Sequence, residues 1–469
     1  MATAVIDAPA APPAPRMTSR QRLLLTLLLG SQFMLAVDFS ILNIALPDIG
    51  NGLGFSLGNL QWISTAMMLP SAGFTLLFGR FADIAGRRKM LLVGMALLAL
   101  GSLIGGLATT PEVLLAARVL QGLASALATP AALSLLTTSL PEGPLRDKAL
   151  GLNGTLISAG FTVGAIFGGV LTDLLSWRWA FFINVPVAAA ILLAAPRVIP
   201  ESRGVRTKLD IPGAITVTGG LLALVYGVTT AGQQGWGDPT ALLSLAVAAA
   251  LLVAFWLVEL KAEAPLAPVR VLKRQSVKWG NFAGLITFTM ESSVIFLLTL
   301  YLQEVFGYSP LQTGLAFCGI GIASFIGGMV APRAIGRFGN RNALAGGLLL
   351  QAIGTGALFL VGNGGAGSLV LMLAASSAGA FGHLNAIVGY MVTATSGLPD
   401  GEQGLATGLA SMTQQVGITM GIPVLSSIAT ARIAATGSTL SGIHTALLVD
   451  AAIVLAGSAI AYAGLRRRH

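Results

Sequence analysis

The sequence predicts an all-α protein that crosses a lipid bilayer about fourteen times. Three observations lead there. Of 469 residues, 55% are hydrophobic and only 10% charged, with a mean hydropathy of +0.83, whereas soluble chains carry about 25% charged residues. Apolar runs of about 20 residues recur along nearly the whole chain, each long enough to cross a ~30 Å hydrocarbon core as a helix. The basic residues fall in alternate breaks between those runs, as expected when Lys and Arg remain on the cytoplasmic side. A net charge of +9 would suggest nucleic acid in a soluble domain. Here topology accounts for it, and no nucleic-acid partner is expected.

Taken in order, residues 1–21 are rich in Ala and Pro and read as a disordered cytoplasmic tail. The run Leu23–Leu46 is too long for a signal-peptide core and is followed by more spans, so it is expected to be a retained first helix. Apolar runs set against turn and charge signals place six spans near 22–46, 60–80, 89–108, 112–139, 147–173 and 178–197. Eight more fall near 209–230, 239–260, 278–301, 311–333, 341–361, 366–392, 402–430 and 442–466. With the N-terminus inside, all 27 Lys and Arg lie in inner segments except Arg178 and Arg432, which lie outside, and Arg118, which lies in the membrane. Both termini are then cytoplasmic. The weakest point is the loop Gly397–Gln403, which should be inner yet carries only Asp400 and Glu402.

Transporter folds are commonly built from repeats. An offset of 253 residues superimposes Gly86 on Gly339, Gly94 on Gly347, Gly101 on Gly354, Asp147 on Asp400, Gly164 on Gly417 and Gly168 on Gly421. It also places Asp38 on Glu291. The seventh and eighth spans stay unmatched. The expected organisation is a six-helix bundle over 22–200, an inserted helix pair over 201–262, and a second six-helix bundle over 263–469.

Ionisable residues inside such spans are costly and point to function. Asp38 lies past the middle of the first span, some four turns into an apolar helix, where neither an N-cap nor a surface charge suits it. An apolar environment disfavours the charged form of a carboxyl, so Asp38 is a candidate to bind and release a proton. Glu291, its repeat mate in the ninth span, is a second candidate, and pseudo-two-fold symmetry would set the two acids across one central cavity. Arg118-x-x-Gln121-Gly122 puts a guanidinium in the fourth span; a polar partner and snorkelling to the outer surface are both open readings. His383 and Asp450 are further buried candidates that could equally hydrogen-bond a neighbouring helix. The fifth span carries Gly151, Gly160, Gly164, Gly168 and Gly169, a stripe that lets another backbone approach closely. Between the second and third spans, GRFADIAGRRK holds Gly79, Asp83, Gly86, Arg87 and Arg88. The three histidines show no metal-ligand spacing, and no Gly-x4-Gly-Lys-Ser/Thr loop is present, so no metal, cofactor or ATP hydrolysis is expected. The single cysteine, Cys318, reads as a small hydrophobe.

Several of these stretches together resemble the fourteen-span drug/proton antiporter family of the major facilitator superfamily. They are the first-span VDFSILNIALP, Gln61-Trp62, the Gly79–Lys89 loop, Arg118 to Gly122, the fifth-span glycines and WRWAFFINVP from Trp177 to Pro186. The resemblance implies two six-helix bundles with alternating access, protons entering as the drug leaves. It links Arg118 to proton coupling and the fifth-span glycines to an antiporter motif. Two departures stand out: Ala165 takes the place of the family's Pro, and Met67 that of its second-span Tyr.

The leading expectation is a non-enzymatic, proton-coupled exporter of lipophilic drugs or antibiotics, monomeric, in a bacterial plasma membrane. Its partners are protons, the bilayer and a small lipophilic substrate, to which two cavity acids would suit a positive charge. Within the same fold, a dedicated metabolite exporter or a nutrient importer is the alternative. A channel or an intramembrane enzyme is remote, because neither a filter of repeated polar residues nor a nucleophile with its base appears. Asp83 has no acidic counterpart at Gly336 in the repeat, and it is expected to act as a one-sided latch. In the outward-open state it would meet a helix N-terminus or an Arg, and release it when the bundles rock.

Overall fold

Helices form where the apolar runs predict them. The computed structural model describes residues 17–55, 59–140, 144–203, 210–263, 265, 267, 269–396 and 400–465. Its first seven helices are α1 (Ser19–Leu53), α2 (Gln61–Ala85), α3 (Arg87–Gly106), α4 (Pro111–Thr138), α5 (Pro144–Leu174), α6 (Trp179–Phe182) and α7 (Asn184–Val198). Then come α8 (Ile211–Gln234), α9 (Pro239–Glu259), α10 (Val269–Leu272), α11 (Gln275–Leu300), α12 (Pro310–Phe338), α13 (Asn340–Ala357), α14 (Ala366–Thr395), α15 (Asp400–Thr436) and α16 (Thr439–Gly464). Among the described residues 13 helices, counting α6 and α7 as one, are long and apolar enough to cross a membrane. The 31-residue α5 supplies the fourteenth crossing.

Local chemistry sets the ends. Thr18 and Ser309 each close a capping box at the start of α1 and α12, and Thr110, Asp210 and Asp238 cap α4, α8 and α9 with a Pro in the first turn. Gly86 and Gly339, repeat mates, join consecutive helices at φ of 115° and 78°, a region that favours glycine. The first span was expected over 22–46 but runs from Ser19 to Leu53. Pro47, which reads as a stop, is instead carried inside the helix, as membrane helices tolerate.

Helix α1 packs on α5, α4 and α7, while α3 packs on α4 and α7. The same pattern recurs with α11 on α15, α14 and α16, and α13 on α14 and α16. Repeat-paired glycines make equivalent close approaches. Gly94 and Gly101 meet α4 as Gly347 and Gly354 meet α14, and Gly164 and Gly168 meet α1 as Gly417 and Gly421 meet α11. The two halves touch through α5 against α12 and α2 against α15. Helix α8 lies against both α2 and α15, with Thr218 donating to the Gly73 carbonyl (2.8 Å), and α9 packs on α8. Its exposed Leu242, Leu243, Val253 and Leu257 present an apolar face suited to lipid.

Some expectations lie outside the described residues: the tail over 1–16, the loop residues 397–399, the basic stretch 204–209 and the terminal 466–469. The side chains of Asp147, Asp400 and Glu402 are likewise outside them, and Gly151 is placed only as part of the α5 backbone.

Candidate functional site

The glycines of α5 set the rotation of α1. A Cβ on Gly160 would meet Ala36 Cβ at 2.8 Å, and one on Gly164 would meet Ser40 Cβ and the Val37 carbonyl, both at 2.8 Å. Gly168 lies against the Ile41 carbonyl. The Val37–Ser40–Ile41 face of α1 is therefore pressed on α5, and Ser40 donates to the Phe161 carbonyl (2.5 Å). Successive side chains on a helix turn by about 100°, so Asp38 points away from α5 toward α3, α4 and α7.

There Asp38 has no exposure and ends in a closed polar cluster. Its Oδ1 accepts from Gln121 Nε2 (2.8 Å) and from Asn184 Nδ2, and its Oδ2 lies 3.6 Å from Arg118 Nη1. Arg118 also donates to Gln121 Oε1 (2.7 Å) and to the Ile63 carbonyl of α2 (3.0 Å). Gln121 and Asn184 both donate to Ser102 Oγ at 3.0 Å. Arg118 is 2% exposed, so the guanidinium is paired in the interior and does not snorkel. Gly122, one residue on, lets α2 cross α4 beside the Met67 carbonyl and Pro70. Asn184 lies in the WRWAFFINVP stretch, where its role was not foreseen. The aromatics of that stretch pack on α3: Phe181 and Phe182 cover Gly105 and Gly106.

In the carboxy-terminal half, Glu291 of α11 lies beside Gln351 of α13, whose Nε2 is 3.4 Å from Glu291 Oε2. Thr287 Oγ1 donates to Gln351 Oε1 (2.7 Å) and lies 2.9 Å from His383 Nδ1. Since the threonine proton is committed to Gln351, the histidine must donate from Nδ1. Glu291, Thr355 and Ser376 border a void of about 10 Å³. Asp450 of α16 is fully buried, and Glu291 is the ionisable group acting on it. The expectation that Asp38 and Glu291 face each other across a central cavity meets a different arrangement. Each acid is engaged with helices of its own half, because α1 and α11 are pressed on the glycine faces of α5 and α15.

At the end of the molecule where α1 begins, here called the basic face, the Gly79–Lys89 loop ties α2 and α3 to the end of α7. Asp83 pairs with Arg87 (2.7 Å), Arg87 Nη1 donates to Ser202 Oγ (3.2 Å), and the Arg88 amide donates to Glu201 Oε1 (3.0 Å). Arg88 Nη1 also donates to the Ile199 carbonyl (3.1 Å). The Glu201 carboxylate lies over Gly86, where a Cβ would meet it at 2.8 Å, and it sits at the positive end of α3. Gly79 gives α2 its approach to Pro130 (3.4 Å). Arg80, which the sequence did not single out, donates to the Pro265 carbonyl (3.1 Å).

Besides Arg80 to Pro265 at the basic face, contacts between the halves lie at mid-depth and toward the opposite face. Gln415 meets Ser71 (2.5 Å), Thr419 meets the Met68 carbonyl (3.3 Å), Gln303 meets the Ile44 carbonyl (3.2 Å), and Gly169 abuts Pro310. Toward the basic face, α1 and α5 of the amino-terminal half border a cavity of about 530 Å³. Its lining runs from Met17 and Arg22 to Phe33, with Leu152 and Leu156.

Known proteins resemble the chain over nearly its full length. The puromycin resistance protein pur8 of Streptomyces alboniger is 37% identical over 417 residues, 88% of this chain and 82% of that protein. The cephamycin export protein CmcT of Amycolatopsis lactamdurans is 36% identical over 434 residues, 91% and 87% of the two chains. Among solved structures, the POT family transporter PepTSo superposes with a TM-score of 0.71 at 16% identity, covering 96% of this chain and 98% of that one. The human organic anion transporter MFSD10 gives 0.64 at 16% identity, covering 95% and 100%. These two likenesses bear on the fold alone. A family model described as Major Facilitator Superfamily matches residues 28–422. With that match, the helical architecture and the full-length relatives, the chain belongs to the major facilitator superfamily.

Proposed function

We propose that this chain is a proton-coupled transporter that exports lipophilic antibiotics or drug-like molecules by alternating access. The observation that carries the reading is a fully buried carboxyl, Asp38, bonded to Arg118, Gln121 and Asn184, in a chain whose full-length relatives are named for antibiotic resistance and export. A charge cluster at membrane depth is too costly to keep for packing alone. Asp38 and Glu291 are the proton-exchanging groups, Arg118 and Gln121 set the state of Asp38, and His383 and Asp450 belong to the Glu291 side. The substrate occupies the space between the halves, reached from the cavity beside α1 and α5. Inward proton movement supplies about 2.3 kcal/mol per charge per 100 mV, plus the pH term.

In this reading the basic face is cytoplasmic, both termini lie there, and the membrane is a bacterial plasma membrane. The bundles comprise 22–200 and 263–469, with 201–262 as the inserted pair, and a single chain is the working unit. Asp83 is engaged by Arg87 of its own loop and is free to change partner when the halves close at that face.

The test is uptake into inverted vesicles under an imposed pH gradient, with puromycin, a cephamycin and tetracenomycin C as probes. Wild-type protein accumulates at least one of them and acidified vesicles lose protons as it enters; Asp38→Asn and Glu291→Gln do not. If both variants transport as wild type does, the two-acid mechanism fails. Accumulation of a single probe, unaffected by the others, would favour a dedicated exporter, a reading suited to the cephamycin export relative.

A further inference from the structure

Asp450 sits midway along α16 with no exposure, and neither of its carboxyl oxygens has a hydrogen-bond partner. Asp38 is the contrast: one of its oxygens takes two donors and the other faces a guanidinium. A carboxylate taken out of water without donor or cation costs several kcal/mol even after relaxation. A bound proton removes the charge and most of that cost.

Among the described residues, the neighbours offer no cation. Helix α16 packs on α11, α13 and α15. Gly457 abuts Ile286 of α11 and Ala451 abuts Gly356 of α13, which brings Asp450 level with Glu291 and Thr355. Glu291, an acid, is the ionisable group that α11 presents. On α13, Arg341 is bonded to the Tyr462 carbonyl near the basic face; on α15, Arg432 is bonded to Ser441 near the opposite one. His444 of α16 is held by the Val361 carbonyl, Tyr301 donates to the Gly362 carbonyl, and His383 of α14 is on Thr287. Among the described residues, no ion pair forms to Asp450.

The amide of Gln351 favours the proton on Asp450. Its Oε1 accepts from Thr287, and its Nε2 donates to the Thr287 carbonyl (3.2 Å) and lies 3.4 Å from Glu291 Oε2, so Glu291 has a donor beside it to support a charge and Asp450 has none. We propose that Asp450 and Glu291 hold one proton between them in this conformation, on Asp450, and form a proton-carrying site in the carboxy-terminal half separate from the Asp38–Arg118 cluster. Uptake of the proton from water takes the pair from two negative charges to one, and release restores two; no other bond changes. The void of about 10 Å³ beside Glu291, Thr355 and Ser376 is about the space one water needs. The transport role of the site rests on the exporter reading. The protonation of Asp450 does not.

Infrared spectroscopy of the full-length protein in lipid at neutral pH tests it, reading the C=O stretch of protonated carboxyls. The expected result is a band that Asp450→Asn removes, Asp450→Glu moves, and both Asp38→Asn and Glu291→Gln retain. A band unchanged in Asp450→Asn or Asp450→Glu overturns the proposal. So does a band that appears only when choline replaces sodium, because the site would then hold a metal cation. Coupling is read separately from puromycin accumulation in inverted vesicles. At a pH difference of one unit each coupled proton contributes a factor of about ten, so Asp450→Asn should lower the ratio about tenfold. An unchanged ratio overturns the coupling role; absence of accumulation by wild-type protein overturns the exporter reading and leaves the infrared assignment standing.

Discussion

Substituting glycines along α5 and α1 separates close packing from mere helix composition. A Cβ on Gly164 would stand 2.8 Å from both Ser40 Cβ and the Val37 carbonyl. Ordinary carbon contacts need about 3.5–4.0 Å, so α1 must move by about 1 Å. Overpacking of this kind costs about 1–3 kcal/mol, and the gain in helix propensity from Gly to Ala returns about 1 kcal/mol. Gly164→Ala is thus expected to destabilise by about 0–2 kcal/mol. Gly168→Ala belongs at the upper end, because its Cβ would fall inside the contact radius of the Ile41 carbonyl. Gly30→Ala is the control: no atom lies within 4 Å of its added Cβ, and it should stabilise α1 by about 0.5–1 kcal/mol. The assay is thermal unfolding of purified protein in lipid, followed by tryptophan fluorescence, beside transport at matched expression. Asp38 lies between Val37 and Ser40, so a 1 Å shift of about that size takes its 2.8 Å bond to Gln121 out of range and should lower transport as well. If Gly168→Ala unfolds no earlier than Gly30→Ala and transports fully, α5 does not set the position of α1 as argued.

Two further outcomes follow from the same contacts. Asn184→Ala removes a donor from Asp38 and one from Ser102; a bond to a charged group is worth about 1.5–3 kcal/mol, so the unfolding temperature should fall and transport with it, and a variant indistinguishable from wild type would remove Asn184 from the cluster. Asp83→Asn breaks a pair whose members are 31% and 12% exposed, so stability should change by less than about 1 kcal/mol, while transport falls sharply if Asp83 changes partner during the cycle; unchanged transport at normal expression excludes the latch.

Most of the fold was legible because a bilayer demands long apolar helices, and no other element satisfies the backbone there. The misplaced ends were those where a polar or Pro-containing turn continued the helix, as at Pro47 in α1. Asp38 and Arg118 were each legible because charge in an apolar run is rare, and Gln121 through its place in Arg118-x-x-Gln121-Gly122; that the three meet was not. Ser102, Asn184, Thr287 and Gln351 were not, since neutral polar residues serve as ordinary links between membrane helices. The direction in which Asp38 points was also hidden. It depends on helix rotation, and that rotation is set by which neighbour occupies the small-residue face. The fifth-span glycines contained that information, but only their pairing with Val37, Ser40 and Ile41 reveals it.

The two halves share one device and differ in its electrostatic completion. In each, an acid on the first helix lies near a hydroxyl on the third, Asp38 with Ser102 and Glu291 with Thr355, and the repeat offset pairs both members. The same offset sets Leu371 against Arg118 and Ala374 against Gln121. The amino-terminal acid therefore has a guanidinium partner in this conformation, which offsets the cost of its buried charge. Among the described residues, the carboxy-terminal half pairs no cation with its acids, and Asp450 adds a second acid that Glu291 acts on. In the proposed site a proton neutralises it in place. A rocking motion that opens this half to water changes the cost of its charge directly, whereas at Asp38 it must first disturb Arg118. The half that lacks the arginine is thus the one in which conformational state and proton binding are most tightly tied.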